Sequence, residues 1–228
     1  MSALVEVGIA GRIRPGGGRM SNTVASAEVN AIKPFSVVIV GVGGQGVLFV
    51  AQLIGEAAMA EGKRVVMSEV HGMAQRGGVV TATVRIGDVV KSPLAAKGEV
   101  DVLLGMEPLE TYRALPCGSA STRVITSDEL AVPPGVSMGF ETYPPLEKLV
   151  AGLKGATALV KVIPAAKIAS ELGMPVVANV AMLGAFAATE GCPLKKESFH
   201  KAMDALLGGK GREVNLKAFE KGYEAGKK

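Results

Sequence analysis

The stretch Ser36-Val-Val-Ile-Val-Gly-Val-Gly-Gly-Gln-Gly46 constrains this chain more than any other. Val37 to Val40 is a short β-branched run, the pattern of a buried strand. It leads into Gly41-Val42-Gly43-Gly44-Gln45-Gly46, a match to G-x-G-x-x-G. From Val47 to Ala60, small and apolar residues (Ala51, Leu53, Ile54, Ala57, Ala58) recur at helical spacing. Strand, glycine turn and helix are the context the fingerprint needs, because free N–H groups at a helix start attract an anion. Glycine lets the backbone turn tightly and lets a phosphate or another chain come close. The motif therefore demands close approach without naming a nucleotide.

The rest of the chain alternates between the two periods. Gly62 supplies a helix stop, and Arg64-Val-Val-Met67 reads as a second strand. A loop follows over Ser68–Gly78, then the β-branched run Val79–Ile86, with Gly87-Asp88 before Val89-Val90 suggesting a hairpin. Further strands are expected at Asp101–Gly105, Arg123–Thr126 and Ala158–Val162. Helices are expected at Glu107–Leu115, Leu146–Leu153, Ala165–Leu172, Val176–Thr189, Ser198–Leu207 and Val214–Ala225. The Pro-rich stretch Val132–Pro145 reads as loop, and Val176–Thr189, apolar nearly all round, as a buried helix. This order implies an α/β class: a Rossmann-like layered domain on a mostly parallel, mixed sheet, with a helical C-terminal region. Residues 1–33, with the basic Gly-rich run Arg12–Arg19, read as a flexible N-terminal extension to a domain over 34–228.

Composition removes several function classes. Six Phe, three Tyr and no Trp leave little with which to stack bases, so no nucleic-acid partner is expected. No apolar run approaches the ~20 residues of a membrane helix, and no signal-peptide layout opens the chain; a cytoplasmic, membrane-free protein is expected. Cys117 and Cys192 stand 75 residues apart without a C-x-x-C, so four-thiolate ligation of an iron–sulfur cluster is not available to this chain alone. With two histidines, no metal site is expected either. The formal charge of +4 is compatible with an anionic ligand or an acidic partner, but solvated charge is the commoner explanation.

The loop Glu69-Val-His-Gly-Met-Ala-Gln-Arg-Gly-Gly78 concentrates the polar chemistry. Glu69, His71, Gln75 and Arg76 fall within eight residues among permissive glycines, at the carboxyl end of a strand, where α/β sheets bind ligands. There Arg76 can hold a phosphate or carboxylate bidentately and Gln75 can bond a carbonyl. The plainer alternative is an Arg and Glu pair pinning a turn. A dinucleotide site would want an acid at the end of the second strand, and Glu69 stands there, 26 residues beyond Gly43. No nucleophile–base–orienter set is visible, since Ser68 near His71 does not make a triad. So poor a catalytic inventory suggests a subunit.

Three blocks carry a resemblance: Gly41–Val47, Ser68–Gly78, and Val84-Arg-Ile-Gly-Asp88 with Ser92-Pro93. Together they resemble the gamma-type domain of 2-oxoacid:ferredoxin oxidoreductases, and the Glu-Val-His-Gly-Met-x-Gln-Arg-Gly-Gly form looks most like the indolepyruvate beta subunit. Asn179-Val-Ala-Met-Leu-Gly184 and Asn215–Gly222 agree, so the resemblance spans about residues 35–225. It implies a subunit of an enzyme that oxidatively decarboxylates a 2-oxoacid with coenzyme A, yielding acyl-CoA, carbon dioxide and reduced ferredoxin. It places thiamine diphosphate and 4Fe-4S clusters in a large partner subunit, with no cofactor held tightly by this chain. It also places Gly43, Gly44, Gln45 and Gly46 at the subunit boundary or the substrate and coenzyme A side, with Glu69, His71, Gln75 and Arg76 facing the same region. Two other readings stay open: a stand-alone NAD(P)-binding oxidoreductase or sensor using the glycine turn, and a subunit whose loop only docks on its partner.

Overall fold

A computed structural model of the protein describes residues 33–71, 77–140, 142–157, 159–209 and 211–228. The extension expected over 1–33 therefore lies outside the described residues, Lys33 excepted, as do Gln75 and Arg76.

Six strands form one sheet: β1 (Phe35–Val42), β2 (Val65–His71), β3 (Val79–Ile86), β4 (Val102–Gly105), β5 (Arg123–Ser127) and β6 (Leu159–Ile163), in the order β2-β3-β1-β4-β5-β6. β1, β4, β5 and β6 run parallel, and β3 alone opposes both of its neighbours. The α/β class and the mixed, mostly parallel sheet expected from the sequence are borne out. Side chains of β1 alternate between two cores, as the period of two requires. Val37 and Ile39 face α1 (Val47–Ala60) and the C-terminal helices, whereas Val38 and Val40 join Leu103, Val124 and Leu153 on the other face.

That second face is covered by α2 (Pro108–Arg113) and α4 (Leu146–Ala156), with a single helical turn, α3 (Pro134–Ser137), inside the Pro-rich stretch read as loop. Glu107, placed inside a helix by the sequence pattern, instead caps α2, and Leu115–Cys117 follow as a separate 3-10 turn. On the first face lie α5 (Ala165–Glu171), α6 (Ala178–Ala187), α7 (Lys196–Leu207) and α8 (Arg212–Lys227). Every residue from Asn179 to Ala187 is buried, so α6 has the all-round apolar environment its sequence requires.

The hairpin expected at Gly87-Asp88 does not form. β3 already has β2 on one side and β1 on the other, from Phe35↔Ile86 to Val42↔Val79, and has no free edge for Val89-Val90. The hairpin is instead β2–β3, with His71 opposite Val80. Its connection is too short for a parallel crossover, which needs a dozen residues or more. Ser68 to His71 thus belong to β2 and not to the loop that follows. The segment after β3 is held by buried Arg85. Its Nε donates to Ser36 Oγ at 3.2 Å, and its Nη1 donates to the carbonyls of Ser92 and Leu94 at 3.1 and 2.8 Å. This joins the Val84–Asp88 and Ser92-Pro93 blocks into one structural unit. Among the described residues no helix is long and apolar enough to cross a membrane.

Candidate functional site

The glycine turn stands at the carboxyl end of β1, where the chain leaves toward β2 on one side while β4 lies on the other. Such a switch point opens a crevice in an α/β sheet. Gln45 builds the turn from within. Its Oε1 accepts the Val42 N–H at 2.9 Å, and its Nε2 donates to the Met106 carbonyl at 3.3 Å, tying the ends of β1 and β4 together. The Gln45 amide therefore acts on backbone, fixing the crevice rather than reaching across it.

Gly44 and Gly46 have φ of +103° and +77°. Gly46 precedes α1 in the left-handed region, and a Cβ there would lie 2.1 Å from Asn179 Nδ2. Gly46 has no side chain to cap α1 and the first turn carries no acid, so among the described residues the N–H groups of that turn have no side-chain partner. Gly43 N–H donates to Gly78 O at 2.8 Å. The turn is thus bonded directly to the end of the loop that the sequence singled out.

Beside the turn lies a cleft of about 250 Å³, lined by Gly44, Gln45, Met106, Ser127, Glu129 and Asn179 among others. Ser127 and Glu129 come from the carboxyl end of β5, and Asn179 from the first turn of α6. Asn179 is 7% exposed, and its Oδ1 has no hydrogen-bond partner among the described residues. Partial desolvation pushes the carboxyl of exposed Glu129 above its usual range, and neighbouring Asp128 adds to the push. Among the described residues no group of three or more metal-ligating side chains comes together.

Of the residues proposed from sequence, Gly44 and Gln45 line this cleft, and Gly43 and Gly46 belong to the same turn. Glu69 is exposed on β2, paired in register with Ala82 and separated from β1 by the whole of β3, about 10 Å at the usual strand spacing. His71 ends β2, while Gln75 and Arg76 lie outside the described residues. Sequence reasoning did not assign Ser127, Glu129 or Asn179 to the site. An Asn opening an otherwise apolar helix was the available signal for the last.

One buried pair beside the cleft also escaped that reading. Glu107, 1% exposed and next to Met106, accepts the Glu110 N–H at 2.8 Å through Oε2, and its Oε1 accepts the Tyr143 hydroxyl. Tyr143 belongs to the Pro-rich stretch, which the contact holds down. Burial raises the Glu107 pKa above 4.5, against the hydrogen bonds from Tyr143 and Glu110 that lower it. A carboxyl whose folded pKa is raised costs nothing below its unfolded value and costs most above the folded one. Glu107→Gln keeps an acceptor oxygen, so it is expected to be more stable than the wild type at neutral pH. That gap should shrink as the pH falls toward 4.5; thermal melts at the two pH values test it, and a gap that widens toward acid contradicts it.

The comparisons with known proteins agree with the motif blocks. The chain is 41% identical over 191 residues to the indolepyruvate oxidoreductase subunit IorB of Methanothermobacter thermautotrophicus, covering 84% of this chain and 97% of that one. Two solved structures share the fold. The gamma subunit of a keto/oxoacid ferredoxin oxidoreductase from Geobacter sulfurreducens aligns with a TM-score of 0.62 at 24% identity, covering 84% of this chain and 98% of that chain. The 2-oxoglutarate:ferredoxin oxidoreductase of Magnetococcus marinus, solved with 2-oxoglutarate, coenzyme A and succinyl-CoA, aligns with a TM-score of 0.66 at 18% identity; the match covers 86% of this chain but 31% of that longer one. Residues 36–225 match the family pyruvate ferredoxin/flavodoxin oxidoreductase, and the protein belongs to that family.

Proposed function

We propose that this chain is the non-thiamine subunit of an indolepyruvate-type 2-oxoacid:ferredoxin oxidoreductase, working in the cytoplasm. The complex oxidatively decarboxylates an aryl 2-oxoacid with coenzyme A, releases carbon dioxide and acyl-CoA, and passes the electron pair to ferredoxin. Thiamine diphosphate and 4Fe-4S clusters belong to the large partner subunit. The observation that carries this reading is the likeness to IorB along nearly the whole of both chains.

The geometry supports a role at the substrate and coenzyme A side. The Gly43–Gly78 bond ties the glycine turn to the residue that ends the Glu69–Gly78 stretch, at the carboxyl end of the sheet. Uncapped N–H groups at the start of α1 and a guanidinium at Arg76 are the groups that would meet the phosphates of coenzyme A. The dinucleotide reading loses its main support, because a ribose-binding acid must stand on a strand beside β1, and β3 occupies that place.

The test is reconstitution. This chain alone should give no ferredoxin reduction, and co-expression with a large thiamine-binding subunit should restore indolepyruvate- and coenzyme A-dependent reduction. Ferredoxin reduction by the isolated chain would overturn the subunit reading. So would calorimetric binding of NAD(H) by the isolated chain that Gly43→Val abolishes.

A further inference from the structure

At the opposite end of the sheet from the cleft lies a recess of about 140 Å³, lined by Arg123, Leu159, Lys161, Thr189 and Glu190 among others. Arg123 opens β5 and Lys161 lies in β6, and the pairings Arg123↔Leu159 and Ile125↔Lys161 put both side chains on one face of the sheet. Lys161 Nζ donates to the Gly226 carbonyl at the C-terminal end of α8, which satisfies one of its three donors. Arg123 is half-buried. Its Nε has no accessible surface and no hydrogen-bond partner, and Arg123 joins no ion pair among the described residues. The Nη groups are not among the buried unpaired atoms, so the open end of the guanidinium is the part that an incoming carboxylate can pair with bidentately. Exposed Glu190 lines the same recess without pairing to either cation, so two positive charges face one negative. Beside the recess β6 is, among the described residues, an edge strand hydrogen-bonded to β5 alone, with Leu159 48% exposed. An open edge with an apolar side chain and an adjoining cation pair suits an extended acidic segment.

We infer that the Arg123–Lys161 recess and the β6 edge form a docking site for an Asp or Glu side chain on an extended segment of the large partner subunit. The inference rests on the subunit reading above, and it adds an attachment point remote from the glycine turn. That arrangement leaves the crevice free for chemistry while the opposite end of the sheet carries part of the assembly.

The experiment measures association of the co-expressed large subunit with this chain, wild type and variant, at low and moderate salt. Arg123→Gln and Lys161→Gln are each expected to weaken association tenfold or more and to flatten its salt dependence; thermal stability of the free chain should stay unchanged in Arg123→Gln and fall slightly in Lys161→Gln, which also loses the bond to the Gly226 carbonyl. Glu190→Gln, which removes a competing carboxylate, should associate at least as tightly as the wild type. Wild-type association by folded Arg123→Gln overturns the docking site while leaving the subunit reading intact. Equal weakening by Glu190→Gln would make Glu190 the natural partner of Arg123 and overturn it too. Absence of any complex with the wild-type chain would instead sink the subunit reading itself.

Discussion

Gly46→Val is expected to lower the stability of the chain by about 2–5 kcal/mol, the sum of two separable costs. The first is conformational: holding a residue with a Cβ in the left-handed region costs about 1–2 kcal/mol, and Gly46 sits there at φ +77°. The second is steric. A Cβ would stand 2.1 Å from Asn179 Nδ2 and 3.2 Å from its Cγ, and forcing extra atoms into such a space typically costs about 1–3 kcal/mol. In a domain of this size the sum is a fall in melting temperature of about 5–20 °C. The two costs separate in a cycle with Gly46→Ala and Asn179→Ala. Removing the Asn179 amide leaves only the conformational cost, so Gly46→Ala should be less harmful in the Asn179→Ala background. Urea midpoints of the four proteins measure this, and strictly additive effects would show that Asn179 does not press on the turn.

The same pair shows what the sequence made legible and what it did not. The strand–turn–helix at 36–60 could be read because each part has a strong local cause: a β-branched run, glycines at fixed offsets and a helical apolar period. The contact between Gly46 and Asn179 could not, since it joins residues 133 apart in the chain through packing. Strand order was legible only in part. The run Val79–Ile86 is plainly a strand, but its β-branched residues suit pairing on either edge, and the glycine signal at Gly87-Asp88 drew the hairpin to the wrong side. The short link between β2 and β3 was the better guide, because its length admits only an antiparallel return. That return puts β3 between β1 and β2, and in doing so moves Glu69 away from the crevice. A mistake about one turn would thus have carried over to the site, turning an exposed edge-strand residue into a ribose ligand. Gln45 carries a related lesson. A polar residue in a glycine turn invites a ligand contact, yet both ends of its amide bond backbone.

Gly222→Ala is expected to be about as damaging as Gly46→Val, although it adds one methyl group in the middle of a helix. Alanine normally favours a helix over glycine by about 1 kcal/mol. At Gly222, however, the new Cβ would lie 1.9 Å from the Ala181 carbonyl oxygen of α6, and backbone cannot swing aside as a side chain can. Gly184 on α6 and Gly226 on α8 make the same approach from either side, with would-be Cβ contacts of 2.0 Å to Phe219 O and 2.7 Å to Ala185 Cα. The two helices therefore touch backbone to backbone along two turns. Any methyl group at this seam pushes them apart and opens the ring cluster above it, where Phe186 meets Phe199 at 6.1 Å and Phe199 meets Phe219 at 5.8 Å. The net expectation is a loss of about 3 kcal/mol, near the upper end for overpacking a core. Gly155→Ala is the control, because Gly155 is exposed in α4 with nothing within 4 Å of a Cβ. It should gain up to about 1 kcal/mol, as propensity alone dictates. Opposite signs for the two substitutions in denaturant melts would mark close approach, and not helix punctuation, as the reason glycine stands at 222. A gain in both would mean that α6 and α8 tolerate separation, and that their glycines do not set how the C-terminal layer packs.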